Sequence, residues 1–215
     1  MMRMYLFVLA MVCTCCIFGC SEGHTSTPIV PLKLYESLDE ALKEPSQVKK
    51  LSLKDIGDSL SPEIGKLVNL ESLLIEHSSV KYLPDSFVNL VRLNALYIRD
   101  CGFESIPKQL FGLKNLRSLS ITMCNIESIP PELASLQNLW VFSLRANRLK
   151  EFPRGRVQTR GLSTLSLESN LLTTFDYTKE DFPVLTYLSL SFNPLPDSLK
   201  KRLRQEFSYV TVLGL

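Results

Sequence analysis

Leu70, Leu93, Leu116, Leu139, Leu162 and Leu185 stand 23 residues apart, each opening a unit with the same apolar skeleton. A fixed period of this length means one supersecondary unit stacked on copies of itself, none able to bury its apolar face alone. A less regular turn of 22 residues begins at Val48, which makes seven turns in all. Their fourth and sixth positions read Leu51/Leu53, Leu73/Ile75, Leu96/Ile98, Leu119/Ile121, Phe142/Leu144, Leu165/Leu167 and Leu188/Leu190. All fourteen are apolar in a chain that is 45% hydrophobic, so the signal lies in the placement and not in the composition.

Two apolar residues separated by one polar residue read as a short half-buried strand, because successive side chains point to opposite faces. The ninth position holds Ser78, Cys101 and Cys124 in early turns and Asn147, Asn170 and Asn193 in later ones. A small polar side chain there can bond the backbone where the strand bends away, so that no buried amide is orphaned. Val80, Phe103, Ile126, Leu149, Leu172 and Leu195 follow at position eleven. Four turns then carry an apolar residue and a proline: Leu83-Pro84, Ile106-Pro107, Ile129-Pro130 and Phe152-Pro153. Proline has its φ already set and no amide to satisfy, so it suits the start of a short α-helical or 3₁₀ segment on the returning arm.

From Val48 onward these residues resemble the leucine-rich repeat family, in its typical 23-residue bacterial and plant-like form. The resemblance implies an α/β fold: a right-handed solenoid with a parallel sheet on the concave side and short helical or 3₁₀ segments on the convex side. Such a stack needs caps over its end faces. Ser37-Leu38-Asp39-Glu40 has the spacing of a capping box and predicts a front helix within residues 35–47, stopped by Pro45. At the rear, Leu199, Leu203 and Phe207 fall at helical spacing, with Lys200, Lys201, Arg202 and Arg204 outside. Tyr209 to Leu213 then alternates as a closing strand with Val210 and Val212 as its rung. The expected organisation is a signal peptide at 1–19, a tether at 20–34, a cap helix at 35–47, repeats at 48–195 and a C-terminal cap at 196–215.

Tyr5 to Phe18 is an uninterrupted run of apolar, Cys and Thr residues behind Arg3. It is shorter than the roughly 20 residues a membrane span needs, and reads as a cleaved signal peptide. The run ends Ile17-Phe18-Gly19-Cys20. That ending resembles the lipobox of bacterial lipoproteins, which implies cleavage before Cys20 and lipid attachment, palmitate included, to that residue. Ordinary secretory cleavage nearby and an uncleaved anchor are the alternatives. Ser21 after the cysteine, in place of aspartate, implies the outer membrane in a Gram-negative host. The expected location is therefore the bacterial cell envelope, lipid-anchored, with secretion as the alternative. Cys13, Cys15 and Cys16 would leave with the signal peptide, so Cys101 and Cys124 remain, one repeat apart at the same position. They form either a disulfide, which an oxidising envelope permits, or two rungs of the turn-making ladder.

A formal net charge of +2 is less basic than nucleic-acid binding usually requires. His24 and His77 are the only histidines, and neither has a catalytic or metal-binding partner at a known spacing. No enzymatic role and no cofactor or metal is expected. Function is therefore sought on the open face of the sheet, where the third, fifth, seventh and eighth positions project. The fifth reads Ser52, Leu74, Tyr97, Ser120, Ser143, Ser166 and Ser189; the larger groups gather early. Leu74, Tyr97, Arg99, Met123 and Arg145 are the candidate ligand-binding residues, since aromatic, apolar and arginine side chains supply most binding hot spots. The competing reading is that Leu74 and Tyr97 simply pack as a cross-strand pair. The expected partner is a protein or peptide, with a glycan or a structural role without ligand as alternatives. No nucleic-acid partner is expected, membrane contact is through the N-terminal lipid, and the chain is expected to be a monomer.

One turn breaks the pattern. After Phe152-Pro153 the arm from Arg154 to Gly161 lacks the apolar pair found at Leu110/Leu113 and Leu133/Leu136, and is expected to be a loop. With Arg145, Arg148 and Lys150 it forms a basic cluster, which either meets an anionic lipid or glycan or pairs with Asp176, Glu180 and Asp181 of the next turn.

Overall fold

The computed structural model describes residues 33–155, 157 and 160–213. The expected signal peptide, Cys20 and the tether up to residue 32 lie outside these residues. The chain divides after Pro31, and the unit beginning at Leu32 carries all the described structure. Among the described residues no helix is long and apolar enough to cross a membrane.

Nine strands form one parallel sheet in strict chain order. They are β1 (Leu34–Tyr35), β2 (Lys50–Lys54), β3 (Ser72–Ser78), β4 (Ala95–Cys101), β5 (Ser118–Thr122), β6 (Val141–Ser143), β7 (Thr164–Ser166), β8 (Tyr187–Ser189) and β9 (Thr211–Leu213). Short 3₁₀ segments at Pro62–Lys66, Asp85–Asn89, Lys108–Gly112, Pro131–Ser135 and Lys179–Asp181 form the returning arm. The architecture is the leucine-rich repeat solenoid that the 23-residue period implies.

Register explains why the period has to be strict. Leu51, Leu73, Leu96, Leu119, Phe142, Leu165 and Leu188 pair side by side, and Val212 of β9 ends the row. A slip of one residue in any turn would send that row to solvent. Leu70, Leu93, Leu116 and Leu162 are wholly buried in the same core. Each such side chain contributes about 1.5–3 kcal/mol by leaving water.

The ladder at position nine forms as its residue types suggest. Asn147, Asn170 and Asn193 each accept an amide of the preceding turn through Oδ1, at 3.0 Å, from Ile126, Leu149 and Leu172. Their Nδ2 groups donate to Ile121, Leu144 and Leu167 carbonyls at 2.7–2.9 Å. Ser78 does a shorter version of this, accepting from Ile56 and donating to the Glu76 carbonyl. Cys101 and Cys124 are free, buried thiols in the same file. Burial pushes the Cys124 thiol up to about 11 and raises Cys101 as well, so both stay protonated and unreactive at neutral pH.

A second regularity has no counterpart in residue type. The eighth residue of every turn has a left-handed backbone: Asp55, His77, Asp100, Met123, Ala146, Ser169 and Phe192, with φ between 51° and 56°. In a continuing strand the eighth side chain would point into the core and the ninth out. The left-handed residue shifts that phase by one, so the eighth faces outward and the ninth drops into the ladder. The fold imposes this conformation at a steric cost on six residue types, none of them glycine.

The caps differ in detail from their sequence signals. Leu34, assigned to the tether, begins β1 and pairs with Lys50. The front helix α1 is only Leu38–Ala41, and Ser37 makes no capping bond through its side chain. The Glu40 carboxylate that a capping box would use instead meets Lys33 Nζ at 2.9 Å. The rear helix α2 spans Asp197–Glu206, with Leu203 and Phe207 buried, and Arg202 donates to the Phe175 carbonyl at 2.7 Å.

Among the described residues, the turn from Arg154 to Gly161 has no helix. Its missing apolar pair is replaced by Val157, which is buried in the core, and by rings: Tyr177 packs 5.3 Å from Phe152, 5.1 Å from Phe175 and 5.2 Å from Phe182. Arg154 lies over the Tyr177 ring at 4.9 Å and donates to Asp181 at 2.8 Å, with Asp176 at 3.8 Å. For Arg154 the basic cluster is thus paired within the next turn.

Candidate functional site

The open face of the sheet is built from columns, because laterally paired strands place equivalent positions side by side about 4.8 Å apart. Leu74 of β3 pairs with Tyr97 of β4, and Glu76 with Arg99, two residues further along the same face. These four side chains form one patch. Leu74 and Tyr97 are each half-buried against the other as a cross-strand pair, and part of each surface remains open. The Ser118 hydroxyl lies 3.5 Å from Tyr97 Oη.

Glu76 organises the charge. It is only 7% exposed, yet its carboxylate meets Lys54 Nζ at 2.7 Å, with Arg99 Nη1 and His77 Nε2 each at 3.9 Å. His77 Nδ1 is in turn 2.9 Å from Asp100 Oδ2. The Lys54 ammonium is held above its usual range, first by its hydrogen bond to Glu76. A carboxylate this buried needs such partners, since an unpaired one would carry a large desolvation cost. Sequence reasoning singled out Arg99 but not Glu76, His77 or Lys54. The available signal was the seventh column itself, where Lys54, Glu76 and Arg99 alternate in sign on adjacent rungs.

The other candidates lie apart from this patch. Met123 is exposed on the left-handed rim position after β5. Arg145, beyond β6, pairs with Glu168 through Nε–Oε1 at 3.3 Å. The structure therefore groups Leu74, Tyr97 and Arg99 and separates Met123 and Arg145 from them. The serine file is also shorter than expected: Ser120, Ser143 and Ser166 are partly open, whereas Ser52 on β2 and Ser189 on β8, each one strand in from an end of the sheet, are buried.

Beside the rim, His77, Lys81, Asp100 and Gly102 border a shallow, open depression. Gly102 is needed there, because a Cβ would come within 2.8 Å of the Ser79 carbonyl. Among the described residues no group of three or more His, Cys, Asp or Glu side chains is placed to hold a metal ion. The patch sets an aliphatic-aromatic pair beside a cluster of mutually paired charges.

Comparison with known proteins agrees with the repeat fold. The Leucine Rich Repeat family model matches residues 115–136. A leucine-rich repeat protein of Leptospira interrogans has a similar structure, with TM-score 0.58 and 23% identity over 85% of this chain and 58% of its own. An internalin of Listeria monocytogenes gives TM-score 0.56 and 20% identity, covering 82% of this chain and 56% of that one. The leucine-rich repeat ectodomain of the Arabidopsis thaliana receptor kinase GASSHO1/SCHENGEN3, solved in complex with Casparian strip integrity factor 2, gives TM-score 0.51 and 26% identity. That match covers 67% of this chain and 20% of the receptor chain. The chain thus spans less than two thirds of each of these structures. No curated protein sequence matches it. Family model and structures together support the leucine-rich repeat family, whose fold is typical of protein interaction modules.

Proposed function

We propose that the protein is a membrane-tethered recognition module that binds a protein or peptide on its concave face, centred on Leu74, Tyr97 and Arg99. The observation that carries this reading is the pairing of Leu74 with Tyr97 on an open face whose other floor positions are mostly serines. A large aromatic beside an arginine is the usual make-up of an interface anchor. The concave charges favour a protein or peptide over an anionic glycan, because Arg99 and Arg145 already face Glu76 and Glu168. The plant receptor ectodomain holds a partner on the same type of fold, which supports the reading by analogy.

The tether in this proposal is lipid on Cys20, and the location is the bacterial cell envelope, at the outer membrane in a Gram-negative host. Metabolic labelling with palmitate tests it. The native chain should take up label and Cys20→Ala should not; equal labelling would remove the anchor from the proposal. The recognition surface is tested by affinity capture from cells. Tyr97→Ala with Arg99→Ala should lose the captured partners while a single cooperative urea transition shows that the variant remains folded. Capture that persists would place recognition elsewhere.

A further inference from the structure

We propose that a second surface, the flank along which the chain returns from the 3₁₀ segments to the strands, docks on a bilayer with anionic headgroups. This surface is distinct from the concave patch. It is defined by the second residue of each turn and the two residues before each opening leucine. Backbone bonds knit it: Arg117 N donates to the Asn94 carbonyl, Trp140 N to Arg117 and Ser163 N to Trp140, at 2.8–2.9 Å. Asn69, Asn115 and Asn138 tie it further, donating through Nδ2 to the Ser46, Val91 and Lys114 carbonyls at 2.7–2.8 Å. The result is a rigid strip along the stack.

Its composition is unlike the concave face. Val68, Val91, Trp140 and Val184 are 47%, 56%, 51% and 50% exposed, and all four lie on this strip. Nothing in the fold requires large apolar side chains there, since Gln137 and Lys114 occupy the position of Val68 and Val91 in other turns. Between them stand Arg92, Lys114, Arg117 and Arg160, all exposed. Among the described residues none of these four cations is in an ion pair. Glu71, the acid on the strip, is engaged with Lys49 at 2.9 Å. Unbalanced cations interleaved with valines and a tryptophan fit a surface that is both anionic and penetrable. Lysines and arginines are drawn to anionic lipid, and a tryptophan settles at the headgroup boundary. A soluble anionic polysaccharide would satisfy the cations but leave the valines in water.

Trp140 is the chain's only tryptophan, so it reports on its own surface. The mature chain carrying Cys20→Ala, without residues 1–19 and with no acyl group to hold it, is mixed with vesicles of equal parts phosphatidylglycerol and phosphatidylcholine. Its emission should shift to the blue, be quenched by brominated acyl chains and revert at high salt; pure phosphatidylcholine vesicles should do none of this. Arg92→Gln, Lys114→Gln and Arg117→Gln together should weaken binding about a hundredfold, from the usual attraction per cation at an anionic surface. An unchanged spectrum on vesicles that sediment the protein would overturn the proposal, because contact would then run through another segment. So would equal shifts on neutral vesicles, or binding to dextran sulfate without binding to vesicles. None of these results bears on Tyr97 and Arg99, which lie on a different face.

Discussion

At the scale of single residues, neighbours one position apart in a strand meet opposite surroundings. Leu119 is wholly buried in the lateral row, whereas Ser120 is on the open face. Leu119→Asp should lower stability by at least about 3 kcal/mol, because it removes apolar burial and leaves an unpaired charge inside. Ser120→Asp should change it by less than about 0.5 kcal/mol, and urea unfolding of both checks the register. Tyr177 makes the opposite case. Its ring fills the irregular turn, but its buried hydroxyl has no hydrogen-bond partner among the described residues, and burial pushes its pKa up to about 12. Tyr177→Phe should therefore leave stability unchanged or raise it by about 1 kcal/mol, seen as a higher thermal midpoint. The leucines were legible because burial restricts residue type strongly. The left-handed eighth position was not, since Asp, His, Met, Ala, Ser and Phe share that backbone and no glycine marks it.

At the scale of elements, the last 3₁₀ segment shows how a turn without its apolar pair is held. Asp181 Oδ2 accepts the Thr178 amide at 2.9 Å, and its other oxygen accepts from Arg154 at 2.8 Å. The Thr178 amide first, with Arg154 adding to it, holds the Asp181 carboxyl below the usual carboxylate range. A carboxylate depressed in the folded state contributes stability above its unfolded pKa of about 4, and loses it as pH falls through the lower folded value. Asp181→Asn should be less stable than the parent at pH near 7, and the gap should close as pH falls below about 4. Urea midpoints across that range would show it; a constant gap would assign the effect to packing. Strands could be read from spacing, and the 3₁₀ segments Asp85–Asn89, Lys108–Gly112 and Pro131–Ser135 from the apolar-proline pairs before them, whereas Lys179–Asp181 follows no proline and, among the described residues, Phe152-Pro153 leads into no helix. The two-residue β1 could not be read, because a pair such as Leu34-Tyr35 carries no periodicity, and the capping pattern marks where α1 starts after Ser37 but not that it ends at Ala41.

At the scale of the whole molecule, the repeat gathers most of the large apolar side chains of the described residues into one continuous core, so specificity has to reside in what the repeat leaves exposed. The candidate site was half legible. Leu74, Tyr97 and Arg99 were readable as one patch, because lateral pairing follows from the period. Met123 and Arg145 were read into the same set, although rim geometry and a pairing with Glu168 set these two apart. The proposed function places recognition on the β3–β4 face. It is tested most directly by placing a photo-reactive residue at position 97 or, on a convex 3₁₀ segment, at position 132, where Glu132 is exposed. After irradiation in intact cells, position 97 should yield a discrete cross-linked species and position 132 should not. The same species from both, or from position 132 alone, would contradict the account.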